Sequence, residues 1–537
     1  MRWGVLLGAL TLGAAEPGYL DPATCTPCHA EIAASYAKTG MGRSFGRAND
    51  VPALTQFDHA ASRQRFRVAA RSGEWFLERQ PFGDERRMDY AIGSGNHSRT
   101  FVYRNDAGLL MELPVSWYAE GGGKWRMSPG YDRADHSGFQ REAGDACLFC
   151  HNGYPSAANG GLAQGIDCQR CHGPGEQHVR ERGPIVNPAK LSRERRLDVC
   201  LQCHMESASR TLPEAVRRPG RGVFSYRPGE PLGDYMTFYA FTEGGGEDRM
   251  TVNGAGYGLL QSACFQRSAM DCVTCHNPHK RQAGDAAHFT QVCRSCHSNT
   301  HEPARDKCID CHMPKRRTED AVHVVMTDHR IRRTLPAGDP LAMLPERHDR
   351  RSGPVRLLYP ATLPDNAETR LWRAMAWGDG KALAAAVAEA RPKAAEPYFA
   401  LGEAMRKEGR KKEAVEAYRR AGDAGALALA AELLLTWGNT AGAAALLEPA
   451  VRRQPDDTRL LNSLAVAYVA RMQVREAMAL LTRAVTLRAE EPISWLNLGV
   501  CREAGGDKAG AAAAYRTALR LQPELARARQ FLERVTR

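Results

Sequence analysis

The sequence predicts a mainly α-helical chain in two unlike halves: an irregular N-terminal domain containing a small β-hairpin section, and a C-terminal α-solenoid. Three observations predict it. Fifteen of the sixteen cysteines fall between Cys25 and Cys311, fourteen of them in Cys-x-x-Cys pairs, in a stretch rich in Gly, Pro and Arg with little apolar periodicity. Residues 60–118 contain no cysteine and alternate in polarity around turn-forming residues. From Asn366 onward Ala, Leu, Glu and Arg dominate with helical periodicity, and small residues recur every 34 positions. At 537 residues the chain is too long for one ordinary core, so two or three domains are expected.

The first residues point to a compartment. Arg2 opens a short positive start, Trp3 to Leu12 is rich in apolar residues, and Gly13, Ala14 and Ala15 are small enough for cleavage. Residues 1–15 therefore read as a secretory signal peptide, too short to remain as a membrane-spanning helix. No later stretch is long and apolar enough to cross a bilayer. The expected location is the periplasm or another exported site, with no integral membrane span.

The cysteines follow one pattern. Cys-x-x-Cys-His occurs at Cys25-Cys28-His29, Cys147-Cys150-His151, Cys168-Cys171-His172 and Cys200-Cys203-His204. It recurs at Cys272-Cys275-His276, Cys293-Cys296-His297 and Cys308-Cys311-His312. Chance would give roughly 0.015 such matches in a chain of this composition. Two thiols one helical turn apart can form thioethers to the two vinyl groups of one haem, and the adjacent histidine then supplies the proximal nitrogen to iron. Zinc is the rival, since Cys and His at short spacings also bind it. A histidine directly after the second cysteine at all seven places, in an exported chain, favours haem, and leaves none of those fourteen thiols for disulfides. The expectation is seven covalently attached haem c groups. Cys147 and Cys168 are 21 residues apart, as are Cys272 and Cys293, while Cys293 and Cys308 are 15 apart. Such short links keep neighbouring haems close, which suits electron hopping.

Each iron takes a sixth ligand or leaves that position open. His178 and His279 follow haem motifs in Cys-His-Gly-Pro-Gly-Glu-Gln-His and Cys-His-Asn-Pro-His, and His323 and His329 follow the last motif. His59 and His97 flank the strand-like section, and Met41 sits in Thr-Gly-Met-Gly, where a thioether would raise a haem's potential. These seven residues are the distal candidates, with His136, His288, His301 and His348 in reserve. For each, an ordinary surface or hydrogen-bonded role is the alternative. The formal net charge of +12 excludes little by itself, but in an exported chain it does not point to nucleic acid. A ferric haem brings about −1 net, so seven offset about half of that excess. The arginines then read largely as partners of haem propionates, which a guanidinium meets with two parallel donors.

Between the first and second motifs, Arg65 to Arg79 alternates around Arg-Ser-Gly-Glu, and Thr100 to Val115 alternates around Asn-Asp-Ala-Gly. Both read as hairpins of a β-rich insert over about residues 60–118, covering haem edges. Cys264 and Cys501 lie outside the motifs: Cys264 reads as a buried free thiol, with an unusual iron ligand as the alternative, and Cys501 as core of a repeat helix.

Residues 19–333 resemble the doubled-CXXCH, cytochrome c-554-like multihaem proteins. The resemblance rests on Thr39-Gly-Met-Gly42, Ile92-Gly-Ser-Gly95, Ser128-Pro-Gly-Tyr-Asp132, Cys171-His-Gly-Pro-Gly175, Cys275-His-Asn-Pro-His279, Cys311-His-Met-Pro-Lys315 and Thr327-Asp-His329. It implies an irregular, helical haem-packing fold, largely bis-histidine haems, and electron transfer serving nitrogen or respiratory metabolism. Relatives include multihaem nitrite reductases and hydroxylamine oxidoreductases. The Cys-x-x-Cys-Lys motif usual at the catalytic haem of the nitrite reductases does not occur here.

Residues 335–365, rich in Pro, Arg and Leu, read as a linker between a heptahaem domain at 16–334 and a repeat domain at 366–537. In the latter, Ala443, Ala477 and Ala511 are spaced by 34, as are Ala450, Ala484 and Ala518, and Ala431, Ala465 and Gly499. With Trp495-x-x-Leu-Gly499, Ala511-x-x-x-Tyr515 and Pro523, this resembles the tetratricopeptide repeat (TPR). Four repeats follow a degenerate helix pair at 366–392, and Arg527 to Arg537 extends the last helix as a polar cap. The expected partners are redox proteins for the haems and an unidentified protein or peptide on the repeat surface. The expected activity is electron transfer by a carrier rather than a catalyst. The alternative is an oxidoreductase with one open haem acting on a small nitrogen or sulfur compound.

Overall fold

A computed structural model describes residues 18–155, 162–205, 215–242, 248–297, 307–346 and 353–537. The signal-peptide segment at 1–15, His301 and His348 lie outside the described residues.

The cysteine-free stretch folds into two antiparallel sheets. The first contains β1 (Phe45–Arg47), β6 (Tyr90–Ile92), β7 (Ser98–Arg104), β8 (Leu110–Tyr118), β9 (Lys124–Met127) and β10 (Arg141–Glu142). Its order is β1-β6-β7-β8-β10, with β9 also paired to β8. The second runs in sequence order through β2 (Leu54–His59), β3 (Gln64–Arg71), β4 (Glu74–Gln80) and β5 (Asp84–Arg87). Both expected hairpins are present: β3 pairs β4 in register from Arg65↔Gln80 to Arg71↔Glu74, and β7 pairs β8. Ser72 and Gly73 both have positive φ, the backbone of a two-residue turn matched to strand twist. The β-section is larger than expected, running from Phe45 to Glu142 rather than over about 60–118. Its outer strands are too short to show alternation, so sequence pattern alone could not reveal them. Phe66, Leu77, Phe101, Leu113, Val115, Tyr131 and Phe139 form its core, each with no exposed surface.

The motif-bearing stretches form short helices: α1 (Ala30–Tyr36), α2 (Asp145–His151), α3 (Gln169–His172), α4 (Glu176–Glu181) and α5 (Arg193–Leu201). They continue as α6 (Ala255–Leu260), α7 (Ala263–Gln266), α8 (Cys272–Cys275), α9 (Ala286–Arg294) and α10 (Cys308–His312). A further sheet orders β11 (Ala215–Arg217), β12 (Met236–Phe241) and β15 (Val355–Tyr359), and a hairpin joins β13 (Lys315–Arg317) to β14 (Val325–Thr327). The stretch expected as a linker is therefore partly built into the N-terminal domain. Its strand β15 pairs with β12, and the Tyr359 hydroxyl donates to the buried Asp198 at 2.5 Å. A five-residue strand is short, and its Pro-rich flanks concealed it.

The solenoid comprises, among the described residues, eleven helices: α11 (Ala367–Trp377), α12 (Gly380–Ala390), α13 (Glu396–Lys407), α14 (Lys411–Ala421), α15 (Ala424–Thr436) and α16 (Thr440–Arg453), then α17 (Thr458–Ala470), α18 (Val474–Leu487), α19 (Pro492–Ala504), α20 (Lys508–Leu521) and α21 (Ala526–Thr536). Side chains of Asp379, Asp423, Asn439, Asp457 and Asp507 accept first-turn N–H groups and set helix starts. The repeated Ala431, Ala443, Ala450, Ala465, Ala477, Ala484, Ala511 and Ala518 have no exposed surface, because paired helices close on them. Gly402 and Gly499 face the rings of Tyr418 and Tyr515 so closely that an added Cβ would lie 2.5 and 2.3 Å from a ring carbon.

Both ends of the solenoid are tied to the N-terminal domain. At one end Trp372 and Ala376 of α11 pack with Val216 and Tyr239, while Arg218 lies over Trp372 and pairs with Glu368 at 3.0 Å. At the other, Glu524 accepts from Gln64 at 2.8 Å and Arg79 at 2.5 Å, and the Leu521 carbonyl accepts from Gln140 at 3.3 Å. The Arg79 side chain has no exposed surface, pairs with Asp84 at 2.6 Å, and stacks on Phe82 and Phe139.

Two substitutions test this packing. Gly499→Val drives a branched side chain into Tyr515 and should cost about 1–3 kcal/mol, read by thermal unfolding. Glu524→Ala removes the solenoid-side partner of a buried guanidinium that keeps Asp84. It should cost about 2 kcal/mol and expose the α20–α21 end to limited proteolysis first.

Candidate haem sites

The motif spacing places both cysteines on one helical turn. Cys147, Cys150 and His151 lie in α2; Cys308, Cys311 and His312 span α10; and Cys272 to Cys275 is α8, started by a capping box between Asp271 and Thr274. All sixteen cysteines are thiols rather than disulfides. Thiols of different motifs adjoin one another. Cys25 is pushed upward first by its hydrogen bond with Cys168, and Cys200 likewise by Cys272. Burial pushes Cys147 and Cys171 up to about 12 and Cys275 up to about 11.

The histidines are oriented by backbone carbonyls. Nδ1 of His151 meets the Ser44 carbonyl at 3.2 Å, that of His172 the Val186 carbonyl at 2.8 Å, and that of His312 the Arg332 carbonyl at 2.5 Å. Among the distal candidates, His178 meets the Gly183 carbonyl at 3.0 Å and His329 the Thr327 carbonyl at 3.0 Å. An Nδ1–H held by a carbonyl leaves the lone pair on Nε2, the tautomer a metal-ligating imidazole uses. No sequence signal marks these carbonyls, because backbone acceptors carry no residue identity.

Three motif histidines each face a distal candidate. His29 and His178 have ring centroids 6.5 Å apart at an interplanar angle of 21°. His172 and His279 are 6.0 Å apart at 14°, and His276 and His329 are 6.2 Å apart at 34°. With metal–imidazole bonds of about 2 Å, two rings on opposite sides of one iron have centroids about 6–6.5 Å apart. Ile32, Val179 and Val273, close in sequence to motif or candidate residues, are exposed apolar side chains. At these three pairs the donor set and ring spacing fit a haem iron.

The other candidates are placed differently. The Met41 carbonyl accepts from the Ser44 and Ile166 N–H groups. His97 donates to the Val325 carbonyl in β14, and His323 stands edge-on to Tyr118 at 5.2 Å. His59 departs from the expectation of an iron ligand. It is buried in the β-section with Nδ1 2.7 Å from Ser62 and Nε2 3.0 Å from Asp132, so both ring nitrogens are engaged. His288 is held by Gln282 and the Cys275 carbonyl. The arginines also depart from expectation. Arg79, Arg141, Arg196 and Arg317 pair with carboxylates of the chain itself, which is what burial of a guanidinium demands. Among the described residues no three His, Cys, Asp or Glu side chains gather to hold a bare metal ion, and no helix is long and apolar enough to cross a membrane.

The tetratricopeptide repeat family model matches residues 395–421 and, in overlapping stretches, 429–492 and 464–526. Similar solved structures include YrrB, described as a TPR protein with an unusual peptide-binding site. It is 17% identical, covers 30% of this chain and 83% of its own, and has a TM-score of 0.25. TTC0263, a thermophilic TPR protein of Thermus thermophilus, is 23% identical over 26% of this chain and 81% of its own, at a TM-score of 0.25. MamA from residue 41 onward, of Desulfovibrio magneticus RS-1, is 21% identical over 30% of this chain and 99% of its own, at 0.27. No curated protein matches the chain. The C-terminal region thus carries tetratricopeptide repeats, a module that binds protein or peptide partners.

His136 gives a pH test that does not involve the motifs. It is buried against His59, Tyr131 and Phe66, its Nδ1 accepts from the Gly138 N–H, and Nε2 has no partner. Burial first, then the nearby His59 and Arg79, hold its pKa down to about 3 from 6.5. The unfolded chain binds this proton below about pH 6.5 while the folded chain does not, so stability falls as pH drops from there toward 3. His136→Gln should flatten the unfolding midpoint's pH dependence across that window relative to wild type.

Proposed function

We propose that residues 16–334 attach seven haem c groups and that this is an exported electron-transfer protein, with its repeats making protein–protein contacts. The observation that carries the reading is the set of three proximal–distal imidazole pairs at the spacing of one iron each. The fourteen motif cysteines are the thioether donors, and His29, His151, His172, His204, His276, His297 and His312 are the proximal ligands. Haem, once bound, supplies an iron that alternates between ferric and ferrous states.

The chain's own residues do the rest. His178 follows His172 by six positions and His279 follows His276 by three, so each short tether joins the proximal ligand of one site to the distal ligand of another. The first, third and fifth attachment sites are thereby laced into one row, too closely tethered to separate. The carbonyls of Ser44, Val186, Gly183, Thr327 and Arg332 fix ring orientation. Export to an oxidising compartment follows from the Arg2–Ala15 segment. The solenoid, tied to the N-terminal domain at both ends, holds any protein it binds at a set position relative to the haems.

The test is expression with a cytochrome c maturation system, followed by haem quantitation and EPR of the oxidised protein. Seven haems per chain are expected. His329→Ala should convert one low-spin haem to high-spin and leave the others unchanged. Fewer than two haems per chain would sink the reading. A high-spin haem in the wild-type protein would replace the carrier with an oxidoreductase acting on a small nitrogen or sulfur compound.

A further inference from the structure

Arg170 occupies the second variable position of the third motif, Cys168-Gln169-Arg170-Cys171-His172. Its residue is 1% exposed, and its guanidinium carbon lies 4.6, 4.8 and 5.4 Å from the rings of Phe149, Tyr154 and Phe224. Nη2 donates to the Phe149 carbonyl at 2.9 Å, while Nε and Nη1 have no oxygen acceptor. The neighbouring carboxyl, Asp167, makes no hydrogen bond to the guanidinium: its Oδ1 accepts the backbone N–H groups of Gln169 and of Arg170 itself. The groups that act electrostatically on the guanidinium include the sulfur of Cys203 first, then the Tyr154 hydroxyl and the sulfur of Cys150, with Cys171 beside it; the Asp167 carboxyl, which burial raises to about 6, also feels its charge. Those three cysteines are the second cysteines of the fourth, second and third motifs.

A guanidinium stays charged in any protein. Buried charge without a carboxylate is costly, and aromatic faces compensate it only in part. Thiolates would pair with it, but haem attachment removes that option. In that step the S–H adds across a vinyl group: a carbon–sulfur bond forms, the proton goes to the other vinyl carbon, and no net electron is transferred. The product sulfur is a neutral thioether. In the loaded protein the charge on Arg170 therefore stands where three attachment motifs meet, with no carboxylate hydrogen-bonded to it and only the raised Asp167 carboxyl nearby. In a low-dielectric interior a fixed positive charge favours the state carrying one more electron.

We infer that Arg170 is a buried positive charge that raises the reduction potentials of the haems held by the second, third and fourth motifs, making that cluster the part of the chain where electrons reside. This rests on the haem reading above. Arg170 is a positioning residue in this sense: it acts on the irons through the field and touches no substrate.

The experiment is a spectroelectrochemical titration of the haem-loaded wild type, Arg170→Gln and Arg170→Lys, with haem counted in each. Arg170→Gln should carry seven haems and move three of the seven reduction steps to lower potential, while Arg170→Lys, which keeps the charge, stays near wild type. A full haem count with an unchanged titration in Arg170→Gln overturns the inference. So does an equal shift of all seven steps, or a lowered titration in Arg170→Lys matching that of the Gln variant. Haem lost from Arg170→Gln but retained in Arg170→Lys also overturns it, since the charge would then serve assembly. If the wild type itself fails to load haem, the functional reading has failed instead, and the two failures are distinct.

Discussion

The facing of His29 to His178, of His172 to His279 and of His276 to His329 is the constraint on which, in the proposed reading with one iron between each pair, the N-terminal half depends. Each pair closes a contact between segments distant in sequence, and two pairs share a short tether with the next. A chain tied in this way needs few long helices. Between pairs the backbone is free to be irregular, which is why Gly and Pro are tolerated across stretches that a packed bundle would forbid. The carbonyl partners of Nδ1 add a second tier, because a ring that can spin about χ2 cannot keep one nitrogen aimed at one point.

Charge is handled in two ways. Arg79 and Arg317 are buried and fully committed to carboxylates that lie far away in sequence, Glu524 and Glu120. These pairs hold segments together and confer specificity more than net stability, because desolvating both ions offsets much of their attraction. Arg170 is buried against rings and sulfur instead, and its charge is left to act on its surroundings. One residue type thus serves as a strut in the first two places and as a source of field in the third.

The solenoid is more than an appended module. Its first helix completes the core beneath β11, β12 and β15, and its last turn receives the Arg79 side chain. Anchoring at both ends reduces the freedom that a repeat array otherwise has, since each repeat alone contacts only its neighbours.

How much of this was legible in the sequence differs by element. Ala443, Ala477 and Ala511 announced the helical repeats because close helix packing demands small side chains at a fixed period, and periodicity is a local property. The seven Cys-x-x-Cys-His motifs were legible for the same reason: their spacing is a local property of the chain. The hairpin at Ser72-Gly73 was legible from its turn chemistry. By contrast, β15, the placement of His59 against Asp132, the choice of His178 to face His29, and the burial of Arg170 were decided only by tertiary structure. Each depends on which distant segment arrives beside it, and a strand of five residues or a single ring nitrogen carries no period from which that arrival could be read. Sequence by itself determined the repeating units and their spacing; the three-dimensional fold alone decided their pairing, because pairing is set by contacts between residues that the chain holds far apart.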